Sequence, residues 1–514
     1  MSMMSVKKEI IFFLIIFFYL STCCAVNGKE DIEVLADNNI DLVMLENYEK
    51  TQPKRTPPVE NNPEYNLYTT LELLNETVSE PLWYNTKTPS GRDILYLLPY
   101  KISSLEQGGM AFNLFFNMTD NMNVGAKSLL NTDALNKEWL SIISKELTDN
   151  NLKMSLGEAE ITSLLSLFKK ITLQERKLGC VLQAGFVKGP FTVQLNTSLH
   201  IAERNFWLSN SDRQSISTLI NSDQGGGFSD DELVRFRYGA GDTRVKIGLN
   251  TLNKPHFQID VGCESIIPTS RLSYAPRYKT TTNQNINNPQ SFASDLVNVL
   301  RGVRDYLIAP RMGNNGHFGF GCYMEGKASI LRGLVNMWTR LSYDKLLPTE
   351  EDRLVLYKQT VFKGDVAAAL DAFNHGPTTD AMVQQLSKIG SDFRDQYLFP
   401  KSFLTTVYPG GVFNGVLAIS TDIKKMRFSL GYDFYMQQAE KIKKIHNTNA
   451  IINQLRIEDA QASLVYQHKL FTEALYLKNF KRCELGLGLG GDVTIACQGI
   501  GKDWTAYAKL SASF

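Results

Sequence analysis

KDWTAYAKLSASF, residues 502–514, alternates strictly from Asp503 on. Trp504, Ala506, Ala508, Leu510, Ala512 and Phe514 make one row, and Asp503, Thr505, Tyr507, Lys509, Ser511 and Ser513 the other. Successive side chains of a strand point to opposite faces, so this segment is a strand with one apolar and one polar side.

The same pattern recurs upstream. Met110, Phe112, Leu114, Phe116 and Met118 share a face, as do Leu178, Cys180, Leu182, Ala184 and Phe186. Phe191 to Ile201 stands against Thr192, Gln194, Asn196, Ser198 and His200. Further alternating runs cover 244–249, 257–264, 318–325, 337–344, 413–423, 426–437, 459–477 and 482–498. With the terminal strand the count is twelve, each long enough to cross a bilayer, for which ~9–11 tilted residues suffice. The links alternate as well. Short ones fall at 188–190, 253–255, 332–333, 424–425 and 479–481, and long ones at 119–176, 204–242, 268–315, 347–408 and 439–457.

A terminal aromatic closing such a strand, with short and long links in turn, resembles the outer-membrane β-barrels of Gram-negative bacteria. The resemblance covers residues 108–514 and is architectural, matching no single barrel family by motif. It implies an all-β, transmembrane, antiparallel up-and-down β-barrel of twelve strands in the outer membrane. It also implies recognition of the last strand, through Trp504, Leu510 and Phe514, by the barrel-assembly machinery. The link 499–501 is short where a long loop is due, so fourteen strands stand as the alternative.

The other end of the chain fits export. Lys7 and Lys8 precede an apolar run, Ile10 to Leu20, and small residues follow to Ala25, so residues 1–25 are expected to form a signal peptide. That run is too short to span a membrane as a helix. Cys23 and Cys24 offer lipidation as an alternative, although Thr22 or Cys23 is a poor residue to precede the modified position. Residues 26–107, rich in Asp, Glu, Asn and Pro in their first half, are expected to form a periplasmic tether or plug-like segment. A net charge of +1 argues against nucleic acid as a partner.

Five cysteines lie beyond the leader: Cys180, Cys263, Cys322, Cys483 and Cys497. An odd number excludes a fully paired framework, and each falls in the apolar register of its strand, as lipid-facing filler would. Helical spacing over Phe292–Leu307, and helix-favouring stretches at 126–173 and 350–395, predict long extracellular loops that are partly helical. Trp207, Trp338 and Trp504 stand near strand ends, where aromatic girdles form. The run GLGLGG at 486–491 lies inside a strand, where glycine relieves crowding and is no phosphate loop.

If the polar rows line a lumen, its charges include Arg244, Lys246, Lys327, Arg340, Arg427, Lys469 and Lys509, with Asp260, Glu264, Glu325, Asp344, Asp422, Asp433 and Asp503. Seven of each sign balance, which suits salt bridges across a narrow or shut channel better than a wide selective pore. None of the six histidines sits in the His-x-Ser arrangement of the outer-membrane phospholipase family, so the reading is of a non-enzyme without catalytic, cofactor or metal site. The expected function is a porin-like channel or transporter for small solutes. Its rivals are a carrier of hydrophobic molecules with an N-terminal plug, and a non-conducting scaffold or adhesin whose loops bind partners.

Overall fold

The computed structural model describes residues 106–120, 122–123, 172–207, 234–254, 256–270, 310, 312–330, 334–358, 401–446, 452–480 and 483–513. Twelve strands form the wall. They are β1 (Glu106–Thr119), β2 (Thr172–Lys188), β3 (Phe191–Trp207), β4 (Thr243–Lys254), β5 (Phe257–Ile267) and β6 (Gly319–Ile330), then β7 (Val335–Leu346), β8 (Val412–Ile423), β9 (Met426–Gln437), β10 (Val465–Asn479), β11 (Glu484–Gln498) and β12 (Asp503–Ser513). Each pairs antiparallel with the next, and β1 pairs with β12 from Gly109↔Ser513 to Thr119↔Asp503, so the sheet closes on itself.

Twelve, not fourteen, is therefore the count. The short connection after Gln498 is real, with Gly499 at φ +69 making the turn. The wall also begins two residues earlier than expected, at Glu106. On the opposite rim the hairpins are tight: Gly189 takes φ +59 between β2 and β3, and Lys424 takes φ 57 between β8 and β9. An even strand number brings the start of β1 and the end of β12 to this same tight-turn side.

The long-loop side is built up unevenly. Val234–Ala240 pairs with the upper half of β3, and β4 with its lower half. The two pieces form one strand interrupted at Gly241 and Asp242, where the Gly241 amide still bonds Ser198 O at 2.9 Å. Asp242 holds the break by accepting from Ser270 Oγ at 2.7 Å and from the Asn314 amide at 2.6 Å.

Beyond Leu346 the chain continues as a strand, Thr349–Tyr357, which pairs with Lys401–Tyr408 and with Leu455–Arg456. Lys441–Ile445 completes this four-stranded satellite sheet. Residues 350–357 are thus extended and not helical. Residues 172 and 173 likewise open β2. The rest of both stretches, and Phe292–Leu307, lie outside the described residues.

A buried polar network fixes the satellite sheet. Arg353 pairs with Glu351 at 3.0 Å and Glu440 at 3.1 Å, and His317 Nε2 meets Glu351 at 2.6 Å.

Alternation decides what each wall strand buries. Along β11, Leu485, Leu487, Leu489, Val493 and Ile495 are exposed on the outer face, while Gly486, Gly488, Asp492 and Thr494 turn inward and are buried. The inward glycines admit neighbouring side chains. A Cβ on Gly490 would lie 2.4 Å from the Tyr507 ring. Ile266, Leu346, Val412, Tyr435 and Val465, all at long-loop strand ends, cluster with Ile500 into a buried apolar layer.

Candidate functional site

The interior of the barrel is the candidate site, and a period of two builds it. Because Arg244 and Lys246 alternate with Val245 and Ile247, packing the apolar pair outward sends both cations inward. The same logic turns Asp260 and Glu264 of β5, Glu325 and Lys327 of β6, and Arg340 and Asp344 of β7 toward the lumen. Antiparallel register then sets partners at matching heights: Lys246↔Glu264 and Glu325↔Arg340 are direct cross-strand pairs.

On this wall Glu264 is the centre. Its carboxylate accepts from Arg244 at 2.7 Å and from Arg340 at 2.8 Å. Arg244 also reaches Asp344 at 3.3 Å. Lower down, Lys327 pairs with Glu325 at 3.2 Å and lies 3.8 Å from Asp260, beside Gln258. Lys246 is buried next to Glu264, and its Nζ makes no hydrogen bond. The Tyr323 ring lies over the lumen face of Gly248 and Gly262, where any Cβ would clash with it. The Arg340 guanidinium sits 4.8 Å from the centre of that ring. Such stacking lets a buried guanidinium shed water at less cost.

A second lattice joins β10, β11, β12 and β1. Lys469 pairs with Asp492 at 2.6 Å and Asp503 at 2.9 Å. Asp503 accepts in addition from Asn117 at 2.7 Å, Thr494 at 2.6 Å and Gln467 at 2.5 Å. Near the tight-turn side Lys509 pairs with Glu473 at 3.1 Å, and Tyr507 donates to the same carboxylate at 3.3 Å. Asp433 is buried on β9 at the position opposite Lys469. Arg427 pairs with Asp422 at 2.6 Å across the β8–β9 turn.

A third group was not anticipated. Glu175 of β2 takes Lys177 at 2.7 Å and is also paired with Arg204 of β3. All three are buried; Glu175 and Arg204 fall in stretches expected to be long links, and Lys177 lies just ahead of the expected strand start at Leu178. Carrying the alternation of Leu178 back to Glu175, and that of Ile201 forward to Arg204, is the available signal. Glu473 and Asp492 were missed for a related reason: their runs were located, but Lys469 alone was read out of the inward rows.

Trp338 corrects an expectation. It is 3 % exposed and lies inside the barrel with Phe115, Val181, Val416, Ala418, Phe471 and Tyr507, not in an interfacial girdle. Its register forces this, since Arg340, Ser342 and Asp344 share its face. Trp504 does face outward, against Phe116 with ring centres 5.4 Å apart. Leu510 is exposed on the same face, and Phe514 lies outside the described residues.

His200 is buried inside with its Nδ1 3.5 Å from Ser198 Oγ. Its Nε2 has no hydrogen-bond partner, so no third group orients the ring as a general base requires. His468 meets the Tyr432 hydroxyl and packs against the rings of Tyr432, Phe434 and Tyr466. Among the described residues no set of three His, Cys, Asp or Glu side chains is placed to hold a metal ion.

The outer surface shows where this molecule sits. Met110, Leu114, Leu178, Phe186, Leu195, Ile201, Ile247, Phe320, Ile419, Leu430, Leu487 and Leu510 are exposed around the wall, while the charges of the ion-pair lattices point inward. Water would penalise so continuous an apolar face, and hydrocarbon does not. A closed ring also leaves no backbone edge unpaired in lipid. The chain is a transmembrane β-barrel of the outer-membrane type.

No protein-family model matches the sequence, and no curated protein matches it. Among solved structures it is similar to an outer-membrane channel from Pseudomonas putida F1, at 8% identity over 82% of this chain and 98% of that one, TM-score 0.37. It is also similar to the toluene transporter TbuX of Ralstonia pickettii, at 8% identity over 84% and 92%, TM-score 0.31. The outer-membrane protein OmpT of Vibrio cholerae gives 8% identity over 82% and 99%, TM-score 0.24. The fold stands on the strand pairings above and takes nothing from these likenesses.

Proposed function

We propose that the protein passes small solutes across the outer membrane through a lumen that is constricted by its own ion pairs, conducting as a narrow, gated channel and not as an open porin. The observation that carries this is the burial of the inward charges: Lys246, Glu264, Arg340, Asp344, Lys469 and Lys509 are each no more than 2 % exposed. Charges lining a wide aqueous pore would keep their hydration. Here all but Lys246, which lies beside Glu264 without a hydrogen bond, have exchanged water for one another or for neighbouring charges, beneath an apolar layer at the long-loop mouth. An interior built only to fill space would favour apolar groups, since buried ion pairs add little to stability over them. A polar lattice differs in one respect: it can take up water when its pairs part, and so can open.

On this reading residues 1–25 direct export, the 26–107 segment, up to the start of β1, serves as a periplasmic tether or plug-like segment, and the β12 sequence through Trp504, Leu510 and Phe514 is the assembly signal. The satellite sheet favours a second reading, a surface scaffold, because it extends three wall strands past the rim as an ordered platform.

Planar-bilayer recording of the detergent-folded chain separates the two. Discrete, brief openings well below those of an open twelve-stranded pore are expected. A bilayer that stays silent across voltages and solutes, with the barrel demonstrably folded, removes transport and leaves the platform as the working part.

A further inference from the structure

Cys263 on β5 and Cys322 on β6 are free thiols, both exposed on the outer face. Sequence alone presents each as apolar filler. The register adds what spacing cannot: Cys263 and Cys322 are direct cross-strand partners.

Antiparallel partners alternate between hydrogen-bonded and non-hydrogen-bonded pairs, and the phase is fixed here. Ser329 N donates to His256 O at 2.8 Å, so His256/Ser329 is a hydrogen-bonded pair. The register runs from Phe257↔Ala328 to Ile266↔Gly319 without a shift, and Cys263/Cys322 is the seventh pair on from His256/Ser329. An odd number of steps makes it a non-hydrogen-bonded pair. The other side of β6 agrees. Leu347 N donates to Phe318 O at 2.7 Å, so even-numbered residues of β6 direct their peptide groups to β7, away from β5.

Partners of this kind have Cα atoms ~4.5 Å apart and their side chains at closest approach. That lies inside the ~4.4–6.8 Å that a disulfide spans. We infer that Cys263 and Cys322 are a modification site, a pair built to close into a cross-strand disulfide on the lipid-facing wall.

The oxidant is a disulfide. The thiolate of one cysteine attacks it, forming a mixed disulfide and releasing one thiol. The second cysteine then displaces the other thiol and makes the Cys263–Cys322 bond. Two thiols lose two protons and two electrons, and the oxidising disulfide takes them up as two thiols. The bond ties β5 to β6 across the long link that separates them in sequence. This inference rests on the strand register and holds whether or not the lumen conducts.

The test uses the full chain folded in detergent and treated with 2,2′-dipyridyl disulfide, followed by peptide mass mapping. An isolated cysteine keeps a thiopyridyl adduct, whereas a pair within reach expels it. The expected result is a cross-linked peptide carrying Cys263 and Cys322, two hydrogens lighter and free of adduct. In Cys322→Ala, which keeps the face apolar, Cys263 is expected to retain its adduct. Stable adducts on both cysteines of the unaltered chain, or two thiols still open to alkylation, overturn the inference. Heat-dependent mobility on electrophoresis confirms in each sample that the barrel is folded.

Discussion

Glu264→Gln is the substitution that asks most of the lumen lattice. Glu264 is fully buried and holds Arg244 at 2.7 Å and Arg340 at 2.8 Å, with Lys246 directly across the strand pair. The amide keeps the shape and one acceptor oxygen but removes the charge. Arg244 retains Asp344 at 3.3 Å, while Arg340 loses its carboxylate partner and stays 2 % exposed. Removing one member of a buried ion pair costs ~3–5 kcal/mol, because the other charge is left uncompensated. The residual amide acceptor returns part of that, at about 1 kcal/mol for a neutral hydrogen bond. We therefore expect Glu264→Gln to lower the unfolding free energy by about 3 kcal/mol, read from urea titration in lipid vesicles by tryptophan fluorescence. Arg340→Gln on that background should restore part of the loss, because it removes the stranded charge, and the double-mutant cycle isolates the coupling. A loss under ~1 kcal/mol, the worth of a solvated surface pair, would mean that the lumen is wet and that the constriction argument fails.

Three further outcomes follow from other parts of the molecule. Leu487→Arg, at a position 62 % exposed on the outer face of β11, should destabilise the folded barrel in bilayers by ~2–4 kcal/mol if it lies near the midplane. Loss of the effect would place that face away from lipid. Gly490→Val drives a branched side chain into the Tyr507 ring, 2.4 Å from the new Cβ. An overpacking cost of ~1–3 kcal/mol in the same urea assay is expected, and should shrink in the Tyr507→Ala background. Arg353→Met removes the cation shared by the buried Glu351 and Glu440, leaving Glu351 only His317, so limited proteolysis should cut the satellite sheet while heat-modifiability of the barrel is unchanged. Coordinate loss of both would show that the satellite sheet and the wall unfold as one unit.

The wall was legible because its signal is local. Each strand repeats the choice between lipid and interior every two residues, as in Met426–Gln437, and tight hairpins such as Lys424-Lys425 mark its ends. Partnerships were not legible. Nothing near Glu264 in sequence announces Arg340, since their contact needs the registers of β5 with β6 and of β6 with β7 together. The satellite strand Thr349–Tyr357 hid for a different reason. TEEDRLVLY carries the helix formers Glu350, Glu351, Arg353, Leu354 and Leu356, and pairing with Lys401–Tyr408 overrides that preference. Its Glu351–Arg353 ion pair, two residues apart, forms on one face of a strand and has no counterpart on a helix. Trp338 was assigned by its nearness to a strand end when parity along β7 was the stronger guide.

Closure of the ring by β1 and β12 carries a kinetic consequence. Asn117 bonds Thr505 Oγ1 at 3.0 Å across a separation of 388 positions. No hydrogen bond of this seam can form until almost the whole polypeptide has been made and delivered. Until then the growing structure is a curled ribbon with two open borders, each a template for pairing with the wrong chain. Contacts this distant form late and slowly, which exposes such intermediates to aggregation. The first described strand must therefore be kept apart from other copies while eleven more arrive, and the molecule depends on being held open before it depends on being shut.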